Sequence, residues 1–533
     1  MTDPVECSNP AKTFDPAQPY ASGRSPICAS NVVATSQPLA TQAGLDALRR
    51  GGNAIDAALA AAITLTVVEP NNNGVGSDAF ALLWDGNELV GLNASGRAPA
   101  GVRPDDYRAR ERLPKYGWDP VTVPGAVSAW VALSQRYGDL PFADLFDSAI
   151  RYANDGFQVG PKTAFYWQQL ASTYERFDDF KRHFLPAPVA GQRVRRPELA
   201  HSLQLIADSA GAAFYTGELA AAMDRAARDQ GGALRSSDLA EHTADWVTPT
   251  AQTYRDHCLH EIPPNGQGLA AQIGLGILRH LDAPDPDTAA GKHLQIEAMK
   301  IAIRAAFDHF ADPRAMRVTP EQLLEPGSLK RAAASIGRRA TQLPPAALPI
   351  SHDTVYLTAA DAQGRMVSFI QSNYLAFGSG IVIPGTGIAL QNRGYGFSLD
   401  PEHPNCLAPG KRPFHTIIPG FVTEAGAPRL SFGVMGGHMQ HQGHVQMVNR
   451  IFDAGQNPQA ASDAPRWHVF EDFSVGLEEG TPKSIAAELS DMGHDVRFEP
   501  HEHLFGGAQL ILRTDDGYVA GSDHRKEGQA AGF

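Results

Sequence analysis

The stretch HDTVYLTAADAQGRMVSFIQSNY, residues 352–374, decides the fold. Two runs rich in β-branched and aromatic residues flank Asp-Ala-Gln-Gly at 361–364, which predicts a β-hairpin by both propensity and turn chemistry. Just upstream, residues 343–351 are Pro-rich and without period, a loop that could be cut. Thr354 therefore stands where a breaker segment meets the first residue of a strong strand. By local sequence it is an ordinary strand residue. A threonine hydroxyl is a poor nucleophile without a base beside it, yet a cut just before Thr354 would provide one, its own new α-amino group. Such an amine titrates at about 7.7–8.0 and can accept and return a proton near neutrality.

Further strand signals follow downstream, in HTIIPGFV, PRLSFGVMGG and AQLILRTDDGYVA, with a helical stretch near 440–455. Gly436 and Gly437 end a strand-like run and precede that helix. Without a Cβ, their N–H groups suit an oxyanion. Upstream, residues 36–50 read as a helix stopped by Gly51 and Gly52, followed by a second, Ala-rich helix and two short strands, AFALLWD and ELVGLNA. Residues 120–345 read as mostly helical, broken by Pro-Gly loops. Helices early and sheet late, with no repeat, predict one α+β body in layers. Its parts are an extended arm over 1–30, a mostly helical 31–353, and a β-rich 354–533.

Composition narrows the function. Hydrophobic residues at 43% and charged residues at 19% describe a globular chain, and 51 Gly with 39 Pro disfavour a coiled coil or solenoid. Lys plus Arg number 45 against 58 acidic residues, a balance of −13 that repels phosphate backbones and anionic lipid, so no nucleic acid or membrane partner is expected. The start of the chain lacks a signal peptide, and the longest apolar run, 57–68, is too short to span a bilayer, which predicts a cytoplasmic protein. The cysteines (7, 28, 258 and 406) are scattered, without zinc spacing or a disulfide framework. GVGSD at 74–78 lacks phosphate-loop spacing. No metal or organic cofactor is indicated.

Collinear motifs run from about residue 31 to the end: VATSQPLATQAGLDALRRGGNAIDAALA, VVEPNNNGVGSDAF, VTVPGAV, PPNGQGLA, TVYLTAADAQG, KRPFHTIIP, GVMGGHMQ and GSDHRKEGQAAGF. This pattern resembles the γ-glutamyltranspeptidase family of N-terminal-nucleophile hydrolases. The resemblance implies a four-layer αββα sandwich, made as a single precursor that cleaves itself between Asp353 and Thr354 into a large and a small subunit, with a dimer of such pairs as one assembly. It places Thr354 as nucleophile, Ser372 as the hydroxyl that bonds it, and Gly436 and Gly437 as the oxyanion hole. Thr416 takes the place of the second of two serines beside the substrate carboxylate, and His415 that of the first.

The substrate anchors differ from the family. Ser95 stands where the carboxylate-gripping arginine would be, with Arg97 displaced by two. The three ammonium anchors correspond to Tyr374, Arg393 and Gly396. A pocket that loses its acidic anchor and gains Arg should favour an anion without an amino group. Arg97, Arg393 and His415 together suggest a cationic pocket, Arg being suited to bidentate carboxylate binding. The pattern is most similar to the branch that includes oxamate amidohydrolase, which implies hydrolysis of a small carboxylate-bearing amide, oxamate to oxalate and ammonia in purine catabolism. The alternatives are a γ-glutamyl hydrolase or transferase acting on glutathione-like donors, an acylase of the same fold, or a non-catalytic scaffold.

Overall fold

A computed structural model describes residues 23–282, 285–344 and 354–533. Fourteen strands, in chain order, build its two large sheets: β1 (Ile27–Ala29), β2 (Val32–Thr35), β3 (Asp78–Trp84), β4 (Leu89–Asn93), β5 (Asp245–Val247), β6 (Thr250–Tyr254), β7 (His257–Glu261), β8 (Val355–Ala360), β9 (Met366–Ser372), β10 (Gly420–Glu424), β11 (Ala427–Met435), β12 (Gly507–Thr514), β13 (Gly517–Ser522) and β14 (Gln529–Gly532). One sheet has the order β1-β13-β12-β11-β10-β7-β6, the other β14-β2-β8-β9-β3-β4-β5. Helices α1 (Pro38–Arg49) and α2 (Ala54–Val68) cover the second sheet; α3 (Gly268–Leu278), α4 (Ala289–His309) and α5 (Met439–Val448) lie on the side of the first. This is the expected four-layer αββα sandwich.

The alternation of β8 shows how the layers form. Val355, Leu357 and Ala359 pack with the helices, whereas Tyr356 and Ala360 join the core between the sheets. Thr358 bonds Ser431 of the facing sheet at 2.7 Å. Successive side chains of a strand point to opposite faces, so Thr354 shares the inter-sheet face with Tyr356 and Thr358. Ser372 shares it by the same parity with Ile370, and the register Val355↔Gln371 sets Thr354 opposite Ser372. Helix α2 is apolar all round and buried along its whole length, as an internal helix must be, and Asn53 with Asp56 closes its N-terminus as a capping box.

Two expectations need correction. Order begins before residue 31: Ile27–Ala29 pairs with β13, because its backbone groups complete that sheet's edge. Residues 1–22 of the expected arm lie outside the described residues, as do Asp353 and most of the expected loop. The large part is less purely helical than read, since it supplies β2 to β7; the runs TAQTY and HCLHE carry too few apolar residues to announce β6 and β7. Among the described residues, no helix is long and apolar enough to cross a membrane.

Candidate active site

Thr354 Oγ1 donates a hydrogen bond to Ser372 Oγ at 3.1 Å, and both residues are buried. From that pair a chain of contacts runs through the predicted residues. Tyr374 N–H donates to the same Ser372 oxygen at 2.8 Å. The guanidinium carbon of Arg393 lies 4.2 Å from the centre of the Tyr374 ring, a cation–π stack. Arg393 Nη1 donates to Thr416 Oγ1 at 2.8 Å. The Thr416 carbonyl and the Gly437 carbonyl both accept from Gln267 Nε2, at 2.5 and 2.8 Å.

Arg393 is the conspicuous group. Its side chain is fully buried at the start of a short 3₁₀ turn, Arg393–Gly396. Among the described residues, neither Nε nor Nη2 has a hydrogen-bond partner. Burial lowers its pKa to about 10, offset in part by Asp78 and Tyr374, so the group stays charged near neutrality. Buried donors are almost always paired, and these two form the edge of the guanidinium that grips a carboxylate with two parallel bonds.

Asp78 and His415 form a second layer beneath it. His415 Nε2 donates to Asp78 Oδ2 at 3.1 Å, while Ile417 N–H donates to its Nδ1 at 3.4 Å. Burial, with the charges of Arg393 and Arg412, holds the His415 imidazole well below its ordinary value, so it is neutral. Burial also raises the Asp78 carboxyl to about 6, against the pull of Arg393.

At the other end of the contact chain, Gly436 (φ 129°) and Gly437 (φ 58°) turn the exit of β11 into α5 with backbone angles that L-residues with a Cβ rarely adopt. A Cβ on Gly436 would stand 2.8 Å from the Cα of Gly506. Among the described residues, neither glycine's N–H donates a backbone hydrogen bond. Gln267 holds this turn: its N–H donates to the His415 carbonyl at 3.0 Å, and its Oε1 accepts from His441 Nδ1 at 2.9 Å.

The structure does not bring Ser95 and Arg97 into this set. Ser95 bonds Asn93 Oδ1 at 2.7 Å and accepts from Asn265 at 3.2 Å. Arg97 is drawn instead to Asp312 (3.2 Å) and Asp245 (3.9 Å), with its side chain 36% exposed. The cationic trio thus reduces to one cation, Arg393, because Arg97 is held in a separate ion network and His415 is neutral. Sequence reasoning missed Asp78 and Gln267. Both sit inside quoted motifs, GVGSDAF and PPNGQGLA, and polar residues in such apolar or Gly-rich surroundings are the signal that could have found them.

A buried group of His293, Glu297 and His494 has the ligand types for a metal ion. His293 Nδ1 and His494 Nε2 are 2.8 Å apart, a hydrogen-bond distance, and Lys300 Nζ lies 2.9 Å from Glu297 and 3.3 Å from His494 Nδ1. The lysine ammonium supplies the positive charge there.

Comparison with known proteins gives the geometry its family. A family model described as gamma-glutamyltranspeptidase matches residues 40–533. The chain is 36% identical over 527 residues to the glutathione hydrolase-like YwrD proenzyme of Bacillus subtilis, covering 96% of this chain and 100% of that one. It is 35% identical over 512 residues to the oxamate amidohydrolase proenzyme of Klebsiella pneumoniae, covering 93% and 97%. Among solved structures, a cephalosporin acylase from Bacillus halodurans superposes with a TM-score of 0.94 at 46% identity, covering 98% of this chain and 99% of that one. With the sandwich, the hydroxyl pair between its sheets and a family match over nearly its whole length, the chain belongs to the gamma-glutamyltranspeptidase family of N-terminal-nucleophile amide hydrolases.

Proposed function

We propose that the chain is a self-cleaving amidohydrolase whose nucleophile is Thr354 and whose substrate is an amide bearing a carboxylate. The observation that carries the substrate class is the buried Arg393 edge, Nε and Nη2, with no acceptor among the described residues. A substrate carboxylate there would satisfy both donors and neutralise a charge that is costly to leave unpaired.

In this reading, scission between Asp353 and Thr354 frees the α-amine. The amine takes the Oγ1 proton as that oxygen bonds to the amide carbonyl, and the resulting oxyanion is met by the N–H groups of Gly436 and Gly437. The C–N bond then breaks, with the proton passing to the leaving nitrogen. Water, deprotonated by the same amine, attacks the ester, releases the acid and restores Thr354. Ser372 orients Oγ1, Tyr374 and Thr416 position Arg393, and neutral His415 with Asp78 supports them.

Oxamate fits as the smallest such amide, since it carries a carboxylate and no ammonium, and the likeness to an oxamate amidohydrolase supports it. A γ-glutamyl substrate needs an anionic acceptor for its ammonium, and Tyr374, Arg393 and Gly396 offer none. The cytoplasmic setting rests on the sequence alone. Ammonia release from oxamate, run beside a γ-glutamyl anilide, tests the reading. Turnover of the anilide alone overturns the Arg393 argument, and activity surviving Thr354→Ala overturns the nucleophile.

A further inference from the structure

Phe307 and Phe310 at the end of α4, Phe397 and Leu399 after the Arg393 turn, and Phe414 before His415 line a cavity of about 280 Å³. Two of its walls continue the segments that hold the carboxylate edge. The turn Arg393–Gly396 runs straight into Phe397, and Phe414 precedes His415 and Thr416. The two segments touch at Gly396, where a Cβ would stand 3.0 Å from the Phe414 carbonyl oxygen. On its other side, the Phe414 ring stacks on His438 at 6.0 Å and 16°, one residue past Gly437. The cavity therefore adjoins both the carboxylate anchor and the glycine turn. Arg112 also lines it, and the charge of Arg112 acts on Tyr374, at the centre of the contact chain.

Asn405 and His403, two polar residues of the lining, are engaged with the protein backbone. Asn405 Nδ2 donates to the Gly396 carbonyl at 2.7 Å, and its Oδ1 accepts from Phe414 N–H at 2.9 Å. His403 Nε2 bonds the Phe307 carbonyl at 2.9 Å. The aromatic and leucine side chains form the cavity's apolar wall, and Glu111, Arg112, Ser398 and Asp400 belong to its lining as well. A two-carbon amide held by Arg393 leaves this space empty, and the volume is close to the lower end, about 300 Å³, of cavities that enclose whole organic ligands.

We propose that this cavity is an acyl pocket, and that the amide cleaved carries on its carbonyl side an alkyl or phenyl-sized group as well as the carboxylate. Gly396 lines the cavity on the side next to the Arg393 turn. This rests on the reading of Thr354 as nucleophile and Arg393 as anchor, and sharpens it from small amides in general to those with an apolar branch.

The test uses the self-cleaved enzyme and the monoamides of malonic acid carrying hydrogen, propyl or benzyl on the central carbon, with oxamate alongside, read by ammonia release. The expected result is kcat/KM at least tenfold higher for the propyl and benzyl compounds than for unsubstituted malonamate, since one methylene in an apolar pocket discriminates by about tenfold or more. Gly396→Leu, which places a side chain on the cavity wall next to Arg393, should lower the benzyl-to-unsubstituted ratio at least tenfold. Phe307→Ala, at the half-buried mouth, should lower it about fivefold, on the scale of a lost buried methylene or two. Because each variant is read as a ratio, a general loss of active enzyme cancels. Equal turnover of the three malonamides, or an unchanged ratio in both variants, overturns the pocket while leaving the proposed function standing. Failure of every carboxylate amide, oxamate included, overturns both.

Discussion

Thr354 and Ser372 face each other across neighbouring strands β8 and β9, with their hydroxyl oxygens 3.1 Å apart on the face between the two sheets. Thr354→Ala should leave the chain uncut and without amide hydrolysis, whereas Ser372→Ala removes the oxygen that accepts from Thr354 Oγ1 and Tyr374 N–H, the bond to Thr354 being worth about 1–2 kcal/mol. That is a fall of roughly 5- to 30-fold in kcat. Gel analysis of the purified chain and steady-state kinetics check both, and a Thr354→Ala chain that still splits into two fragments would contradict the assignment.

Arg393 presents Nε and Nη2 without a hydrogen-bond partner among the described residues. Arg393→Gln should raise KM for carboxylate amides by about 10- to 150-fold, the range of a charged hydrogen bond of about 1.5–3 kcal/mol. Arg393→Lys should recover little, because an ammonium lacks the two-pronged edge. Kinetics with an uncharged amide as control give the measure: an equal loss for charged and uncharged substrates would remove Arg393 from carboxylate recognition.

Gln267 spans the carboxylate side and the glycine turn through the carbonyls of Thr416 and Gly437. Gln267→Leu keeps the volume and leaves both carbonyls without that donor, which should cost about 1–3 kcal/mol. We expect kcat to drop while KM moves less than threefold, since in the proposed mechanism the turn's N–H groups meet the oxyanion rather than bound substrate. A rise in KM at constant kcat would assign Gln267 to binding instead.

The Asp78 carboxyl lies at about 6, above its ordinary value, because burial disfavours the charge. A carboxyl raised by folding contributes stability that is complete below its unfolded value of about 3.9 and is lost as pH rises through 6. Asp78→Asn cannot ionise, so its Tm relative to the parent should climb between pH 4 and pH 7. The full swing is on the order of 3 kcal/mol, from a rise of about two pKa units. Calorimetry at several pH values checks this, and a constant difference in Tm would show that Asp78 is charged throughout.

What the sequence discloses is mostly local. The hairpin of β8 and β9 is legible because alternation and its Asp-Ala-Gln-Gly turn agree, and α1 because Gly51 and Gly52 stop it. The Thr354–Ser372 meeting follows from strand parity once that hairpin is accepted. Asp78 and His415 meet across 337 positions of chain. Nothing in either neighbourhood specifies that encounter, because it depends on how two sheets stack. Arg97 misleads for the same reason. Its place near a motif suggests the pocket, and only the folded chain brings Asp312 close enough to claim it. The neutral state of His415 is likewise a product of burial, which a string of letters does not display.

The sheet order has a kinetic corollary. Both sheets combine strands from before and after Thr354, with β8 seated between β2 and β9, and β10 between β7 and β11. A nick at that point would leave two polypeptides woven through one another, inseparable short of complete denaturation. Once melted, they would have to find each other as a bimolecular pair, whereas an uncut Thr354→Ala chain renatures as one thread. The matured protein should therefore show concentration-dependent, poorly reversible renaturation where its uncut counterpart recovers.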